Sequence, residues 1–455
     1  MEDVLLGRIL TGMTLAFHII YATVGVGIPI VIMVFEFLGI KKNDYHYLTM
    51  ARRIAKGYTV TVAVGVVTGT IIGLQLSLIW PDFMKLAGQI IALPLFMETF
   101  AFFFEAIFLG IYLYTWDRFK NRWHHWLLTI PVVIGSSISA VFITTVNSFM
   151  NTPAGFDLVD GVFKNVDPIM AMFNASTGVR VFHVVVTAYM TAAFFMVTVA
   201  AVNLLRAKYE EDREYHRKGL KVNMIIGVAV AALTLLAGDL SAKFLHEEQP
   251  EKLAAFEWHF ETEKNADLIL FGVLDEENQE VKGELRIPSA LSILSGTSPS
   301  TEVTGLNDIP RDEWPPLVVH YFFDIMVVFG MFGLGVSVLY FALKLFKKEE
   351  WAHSRFMLYL YALSGPLCFA AIEAGWSTAE LGRQPWIIRG YMRVSEAITQ
   401  ADGLGITMIM FGILYLILGY TTIQVMVNMF KNTSARDSQI EYYGKESLME
   451  QGGRF

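Results

Sequence analysis

Cysteine is almost missing from this chain: Cys368 is the only one among 455 residues. A single thiol excludes internal disulfides and leaves no ligand set for an iron–sulfur cluster or a structural zinc. Cys368 lies in an apolar run and reads as a packed, inert side chain. Charge is scarce as well. Only 17% of the residues are charged against 54% hydrophobic, and the mean hydropathy is +0.47. That balance excludes an ordinary soluble protein of this length and indicates an integral membrane protein. The formal charge of −8 says little, because the charges are segregated by loop. Histidine is the third scarcity: there are ten, nearly all in charged loops or at the ends of apolar stretches. No cleavable leader is evident, because MEDVLLGR is acidic and the first apolar run is too long for a signal peptide. It reads as a retained first span.

What the chain does have is long apolar runs. They predict an all-α integral membrane protein with about nine transmembrane helices, at roughly 10–38, 57–80, 88–115, 126–149, 178–205, 220–242, 316–346, 355–379 and 403–430. The grouping expected is two small bundles plus one span. The chain then divides into spans one to six (1–242), a long external loop between helices 6 and 7 (243–315), spans seven to nine (316–430) and a tail (431–455). Orientation follows from lysine and arginine in the short connections. KKNDYHYLTMARRIAK carries five basic residues, DRFKNRWHH three, RAKYEEDREYHRKGLK six and KLFKKEEWAHSR four. They alternate with PDFMKLAG and NTPAGFDLVDGVFKNVDP, which are poor in positive charge. Only GRQPWIIRGYMR, with three arginines, breaks the pattern. The consistent solution is a multi-pass protein with its N-terminus outside and its C-terminus in the cytoplasm. It leaves 243–315 outside, with sixteen acidic and six basic residues, as a mostly irregular acidic loop.

Two histidines sit well inside apolar runs: His18 in GMTLAFHIIYATVGVG and His183 in GVRVFHVVVTAYMTAAFF. An ionisable or metal-binding side chain in hydrocarbon is costly and by default marks function. Imidazole is also a common protein ligand of haem iron, so the pair suggests haem. The bland alternative is a hydrogen bond to a neighbouring helix. Counting about 1.5 Å per residue from the outer ends puts His18, His183, Glu98, Met326 and Glu380 all in the outer half of the bilayer. That convergence suggests one cofactor layer near the outer surface. Met326 alone, as one of 21 methionines, reads equally as packing. Glu98 and Glu105 are seven apart and share one helix face, which fits a proton relay with Glu105 the deeper. Arg383 reads as a headgroup anchor unless its neighbour Glu380 engages it.

AELGRQPW, with GRQPW at 382–386, and QPEKLAAFE at 249–257 resemble the signatures of subunit I of the cytochrome bd quinol oxidases. GMTLAFH, the WDR at 116–118 and NSFMNTPAG at 147–155 fall where that family has counterparts, and the likeness runs through all the spans. The resemblance implies a quinol oxidase of the respiratory chain in the bacterial cytoplasmic membrane. It implies His183 and Met326 as axial ligands of a low-spin haem b. His18 and Glu380 would each hold one of two high-spin haems, a haem b and a haem d, with haem b in place of haem d in some members. Glu98 and Glu105 resemble an acidic pair for proton delivery, Lys252 and Glu257 belong to a quinol site, and Arg383 and Trp376 lie near the high-spin pair. A second large membrane subunit, subunit II, and a small single-span subunit are the partners implied; no nucleic acid is. The chain departs from many members at Asp324, where they have arginine. The loop looks like the shorter of the family's two loop classes.

The chemistry is coherent. Oxygen reduction to water takes four electrons, and a quinol delivers two. A relay iron needs both axial positions filled, as His with Met provides, whereas oxygen needs an open position. Protons drawn from the cytoplasm past Glu105 and Glu98 would generate a proton-motive force without pumping. A haem–copper oxidase needs further membrane histidines. A secondary transporter would show internal repeats and broken midplane helices, and none is seen. A di-haem electron carrier explains His18 and His183 but neither Glu380 nor the paired glutamates. As an isolated motif, Lys252 and Glu257 also read as a solvated surface pair.

Overall fold

The computed structural model describes residues 2–207, 209–431, 433–445 and 447. Among these, nine helices are long and apolar enough to cross a membrane. They are Glu2–Lys42, Tyr45–Ile79, Pro81–Tyr114, Thr129–Asn151, Thr177–Arg206, Glu210–Glu248, Val319–Leu345, Arg355–Leu381 and Leu404–Phe430. We refer to them as the first to ninth spans. Each covers most of the apolar run expected for it; the fourth and seventh begin three residues later than expected, at Thr129 and Val319, and several others continue well beyond the run. The first, of 41 residues, would be about 60 Å long, so its ends project past any hydrocarbon core.

Local chemistry sets the helix boundaries. Asp44 caps the second span by accepting from the His46 amide at 2.9 Å, Pro81 opens the third, and Ser354 caps the eighth. Proline inside a helix removes one donor and frees the carbonyl four residues back. Pro366 frees Ala362, whose oxygen accepts from the Thr198 hydroxyl at 3.0 Å. Pro29 frees Gly25, whose oxygen accepts from the Tyr58 hydroxyl at 2.7 Å. In both cases a neighbouring span makes good the missing bond, which fixes the register between two helices.

The first four spans pack around one another, and the fifth to eighth form a second bundle joined to them mainly through the fifth. The ninth lies outside against the first and second, almost wholly exposed. Spans alternate in direction. The end bearing the long loop also carries the start of the first span and the 382–403 connection, and it is called the loop end below. The opposite, basic end is tied together by Arg52–Asp117 at 2.7 Å and Lys218–Asp44 at 2.6 Å.

The long loop departs from the irregular segment expected. The sixth span runs on to Glu248, followed by a short helix, Pro250–Phe256. The rest is largely one long antiparallel hairpin: Glu263–Lys264 pairs Glu302–Val303, Leu268–Leu270 pairs Leu285–Ile287, and Val273–Asp275 pairs Glu280–Lys282. The two inner ladders keep one register across Phe271 and Gly272, which have φ of 62° and 102°. The hairpin is pinned to the seventh span where the Phe271 amide donates to Asp324 at 2.6 Å. Of the tail drawn from 431, the described part includes a helix, Ala435–Tyr443.

Candidate functional site

The fourth span serves as a ruler for the polar groups. At the loop end, Asn151 accepts from the Lys252 ammonium at 2.6 Å. One turn in, Asn147 donates to Glu380 Oε1 at 2.7 Å, and its own oxygen accepts from Arg180 at 3.3 Å. About 18 Å from Asn151, by helix rise, Ser139 donates to Glu98 at 3.0 Å. A turn further, Gly135 lies against the backbone of Glu105, whose carboxylate accepts from the Tyr58 hydroxyl. Glu105 is therefore the deeper of the two acids as measured from the loop end, and Ser139 and Gly135 place both on the face turned to the fourth span.

Glu380, Arg383 and Lys252 form one connected cluster. The second Glu380 oxygen accepts from Arg383, whose other terminal nitrogen donates to the Ile387 carbonyl at 2.8 Å. Arg383 is 5% exposed, so it is a buried partner of Glu380 and not a headgroup anchor. Trp376 is one helical turn before Glu380 and half-buried. The 382–393 segment is fastened by Arg389, which grips the Glu251 carboxylate with two bonds of 2.8 and 3.1 Å. Gln249 reaches Arg180 and the Asn151 carbonyl. Thus QPEK and GRQPW, far apart in sequence, are stitched together through Asn147 and Asn151.

Lys252 and Glu257 are both buried, at 2% and 0% exposure, so a solvated surface pair is ruled out. They do not meet. Five residues on a helix is about 500°, which turns them onto different faces. Burial, together with the nearby cations Arg180 and Arg383, pulls the Lys252 ammonium well below its ordinary pKa. Glu257 faces Asp324 instead. Burial first, then that second acid, pushes its carboxyl up to about 8. Neither of its oxygens has an ordinary hydrogen bond. Asp324 is also 3.3 Å from His320 Nε2, and His320 is stacked under Trp258 with centroids 3.9 Å apart. Asp324 thus lies between His320 and the hairpin amide of Phe271.

Helix phase puts His183 and Met326 at one level of the fifth and seventh spans. A Cβ on Gly333 would lie 3.1 Å from Met190 and 3.0 Å from the Phe194 ring, so the fifth and seventh spans touch there. The two spans run parallel, and two turns back from Met190 and Gly333 stand His183 and Met326. Seven residues return each helix to nearly the same face. His183 Nδ1 is buried without an ordinary hydrogen bond. The Met326 sulfur occupies space that only Gly375 leaves open: a Cβ there would be 3.1 Å from Sδ. A buried imidazole, level with a thioether seated over a glycine, is a donor set that fits a haem iron. His18 stands apart, in the first span. Its Nδ1 is 2.8 Å from the Thr68 hydroxyl, and its ring lies against Gly69, so Nε2 is the nitrogen a ligand role would use.

The sequence reading did not single out Asn147, Asn151, Arg180, His320 or Tyr58. Signals for them were present: Arg180 lies three before His183, Asn147 and Asn151 are one turn apart in an apolar span, and His320 and Asp324 have the same spacing.

With this geometry in place, the likeness to known proteins is decisive. Residues 6–434 match the family described as cytochrome bd terminal oxidase subunit I. The chain belongs to that family. It is 40% identical over 433 residues to a Bacillus subtilis (strain 168) chain named for cytochrome bd menaquinol oxidase subunit I, covering 95% of this chain and 97% of that one. It is 30% identical to the cytochrome bd ubiquinol oxidase subunit 1 of the same organism, covering 96% of each. The bd oxidase structure from Geobacillus thermodenitrificans superposes with a TM-score of 0.90 at 55% identity, covering 95% of this chain and 99% of that chain. The chain is therefore a multi-pass membrane subunit of a quinol oxidase, a family with haem cofactors whose subunit I works with a subunit II.

Proposed function

We propose that this chain carries the haems of the oxidase, oxidises quinol at the loop end and reduces oxygen to water with protons drawn from the other, cytoplasmic end. The loop end faces outside in this reading, with the N-terminus there and the C-terminus in the cytoplasm. Charge then separates across the membrane without pumping. The observation that supports it is the matched level of His183 and Met326 on parallel spans, with the Met326 sulfur seated over Gly375 of the eighth span.

His183 and Met326 would hold the low-spin haem b. His18 and Glu380 would each hold one high-spin haem, one of them haem b and the other haem d or a further haem b. Bound there, the haems would supply one-electron transfer and oxygen binding. The chain's own residues do the rest. Asn147 and Arg383 each bond one oxygen of the Glu380 carboxylate and fix its direction. Trp376 would fill the turn beside it. Glu257 would accept the proton of a quinol hydroxyl, since its raised carboxyl is basic enough to hold one near neutral pH. Lys252, on the far face of the same short helix, anchors that helix to Asn151 and is a positioning residue for the quinol site. Glu105 would pass protons to Glu98 across about 10 Å of one helix face. The relatives' names divide between menaquinol and ubiquinol, so the proposal is made for the quinol class. Subunit II is the expected large partner, and a small single-span subunit is proposed beside it.

The test is a reduced-minus-oxidised spectrum of the purified complex. The proposal requires three haems per copy of this chain, one low-spin and two high-spin. A single low-spin species without oxygen-reactive haem would make the chain an electron carrier and overturn it.

A further inference from the structure

A second buried acid–base pair lies at the basic end, outside everything assigned above. Glu36, near the end of the first span, is 1% exposed, and His125, in the short helix Arg122–Trp126, is 2% exposed. His125 Nε2 is 2.8 Å from the Tyr112 carbonyl oxygen, and Nδ1 is 2.6 Å from Glu36 Oε1. A carbonyl only accepts, so Nε2 must carry a hydrogen. The Nδ1–Oε1 contact then needs one more: two acceptors at 2.6 Å would repel. Neutral imidazole with protonated Glu36, or imidazolium with carboxylate, both satisfy it. In either state the bridge holds one exchangeable proton in a place closed to water.

The surroundings lead towards Glu105. Glu36 Oε2 and the Tyr112 hydroxyl are buried without ordinary hydrogen bonds and face each other. Tyr112, Glu105 and Glu98 recur at intervals of seven along the third span, one stripe on one face. Between the pair and Glu105 is a small apolar-lined gap bounded by Pro29, Ile32, Leu109, Tyr112, Thr129 and Val132, which carries a proton only while a water enters it. At its far side the Tyr58 hydroxyl has one hydrogen and two acceptors, Glu105 and the Gly25 carbonyl that Pro29 leaves free. When Glu105 is ionised Tyr58 donates to it. When Glu105 is protonated the carboxylic acid donates to Tyr58, and the tyrosine hydrogen turns to Gly25. Glu105 can therefore change protonation and keep its hydrogen bond to Tyr58 in both states.

We infer that the Glu36–His125 pair is the proton-loading site of this chain: it takes a proton from water at the basic end and hands it across the Tyr112 cavity to the Glu105 carboxylate. This rests on the reading of Glu105 as a relay. The other charged or titratable groups about the pair are Arg52 and Tyr47 from the second span, Asp117 beyond the third, Arg122 beside His125, and Tyr443 of the tail helix. Trp116 and Phe119 close over the imidazole. A purely structural pin is the competing account, though a buried ionic pair is seldom the more stabilising solution.

Glu36→Gln separates them. Its amide can donate to Nδ1 while Nε2–H still donates to Tyr112, so every hydrogen bond survives and only the exchangeable proton is lost. With the complete complex in vesicles, the expected result is unchanged haem content and melting temperature. Oxygen reduction and proton uptake from the basic side should slow together on the order of 10²-fold, with partial recovery in Glu36→Asp. Glu105→Gln is measured in parallel. If Glu105→Gln is slow while Glu36→Gln turns over normally, the loading site is wrong and the relay stands. If Glu105→Gln is itself normal, the relay reading fails and the loading site with it. Loss of haem or a lower melting temperature in Glu36→Gln would establish the structural pin and overturn the proposal.

Discussion

At the scale of single residues, the two buried acids Glu257 and Glu105 should behave differently. Glu257 must be ionised to accept a proton, and its carboxyl titrates at about 8. Quinol oxidation should therefore rise with pH up to about 8, because each unit below that cuts the ionised fraction roughly tenfold. Glu257→Gln should remove this limb and slow quinol turnover, yet spare oxygen reduction driven by an artificial reductant. Equal loss with both donors would point to haem loss. Glu105→Gln should keep its haems and slow oxygen reduction on the order of 10²-fold, measured as steady-state oxygen consumption, while Glu98→Gln should also reduce haem incorporation. Single residues were also what the sequence displayed best. A histidine inside GMTLAFHIIY or an acid inside FMETFAFFFE is conspicuous against hydrocarbon. The Glu36–His125 contact was not legible, because its partners are 89 residues apart and each lies in a charged, span-end context where acids and histidines are ordinary.

At the scale of elements, glycines and prolines decide how spans meet. Gly375 makes the seat for the Met326 sulfur, so Gly375→Ala places a methyl 3.1 Å from Sδ. That is tight enough to cost about 1–3 kcal/mol if the neighbours cannot give way. The predicted outcome is a shifted or diminished low-spin haem b band with the high-spin haems retained. An unaltered low-spin spectrum would contradict the seat. Apolar periodicity located every span but not the hairpin of the loop, whose strands are two or three residues each and too short for alternation to register. Nor could it show that Lys252 and Glu257 face apart. The motif QPEKLAAFE does not itself declare its conformation, and its helical form at Pro250–Phe256 is what separates the two side chains.

At the scale of the molecule, the fourth span joins the two clusters, with the cations Lys252 and Arg180 at Asn151 and Asn147 and the acids Glu98 and Glu105 at Ser139 and Gly135. Basic connections at one end and the acidic loop at the other predict opposite locations for the two termini. Tag accessibility in sealed cells should find the N-terminus outside and the C-terminus inside; a common side would refute the topology. The ninth span and the row Phe96, Phe100, Phe103 and Ile107 of the third are exposed, surfaces that lipid or another subunit must cover. Expressed without subunit II, the chain should yield incompletely haem-loaded protein by pyridine haemochrome assay. Full loading of the lone chain would argue against that dependence.

The central claim is that His183 and Met326 hold the low-spin haem b through which electrons leave quinol. The most direct test is the reduced-minus-oxidised spectrum of the His183→Ala complex beside that of the unaltered enzyme. The account predicts loss of one spectrally distinct low-spin haem b, persistence of the high-spin haems at least in part, and abolished quinol oxidation. A His183→Ala complex that keeps its low-spin band would contradict it.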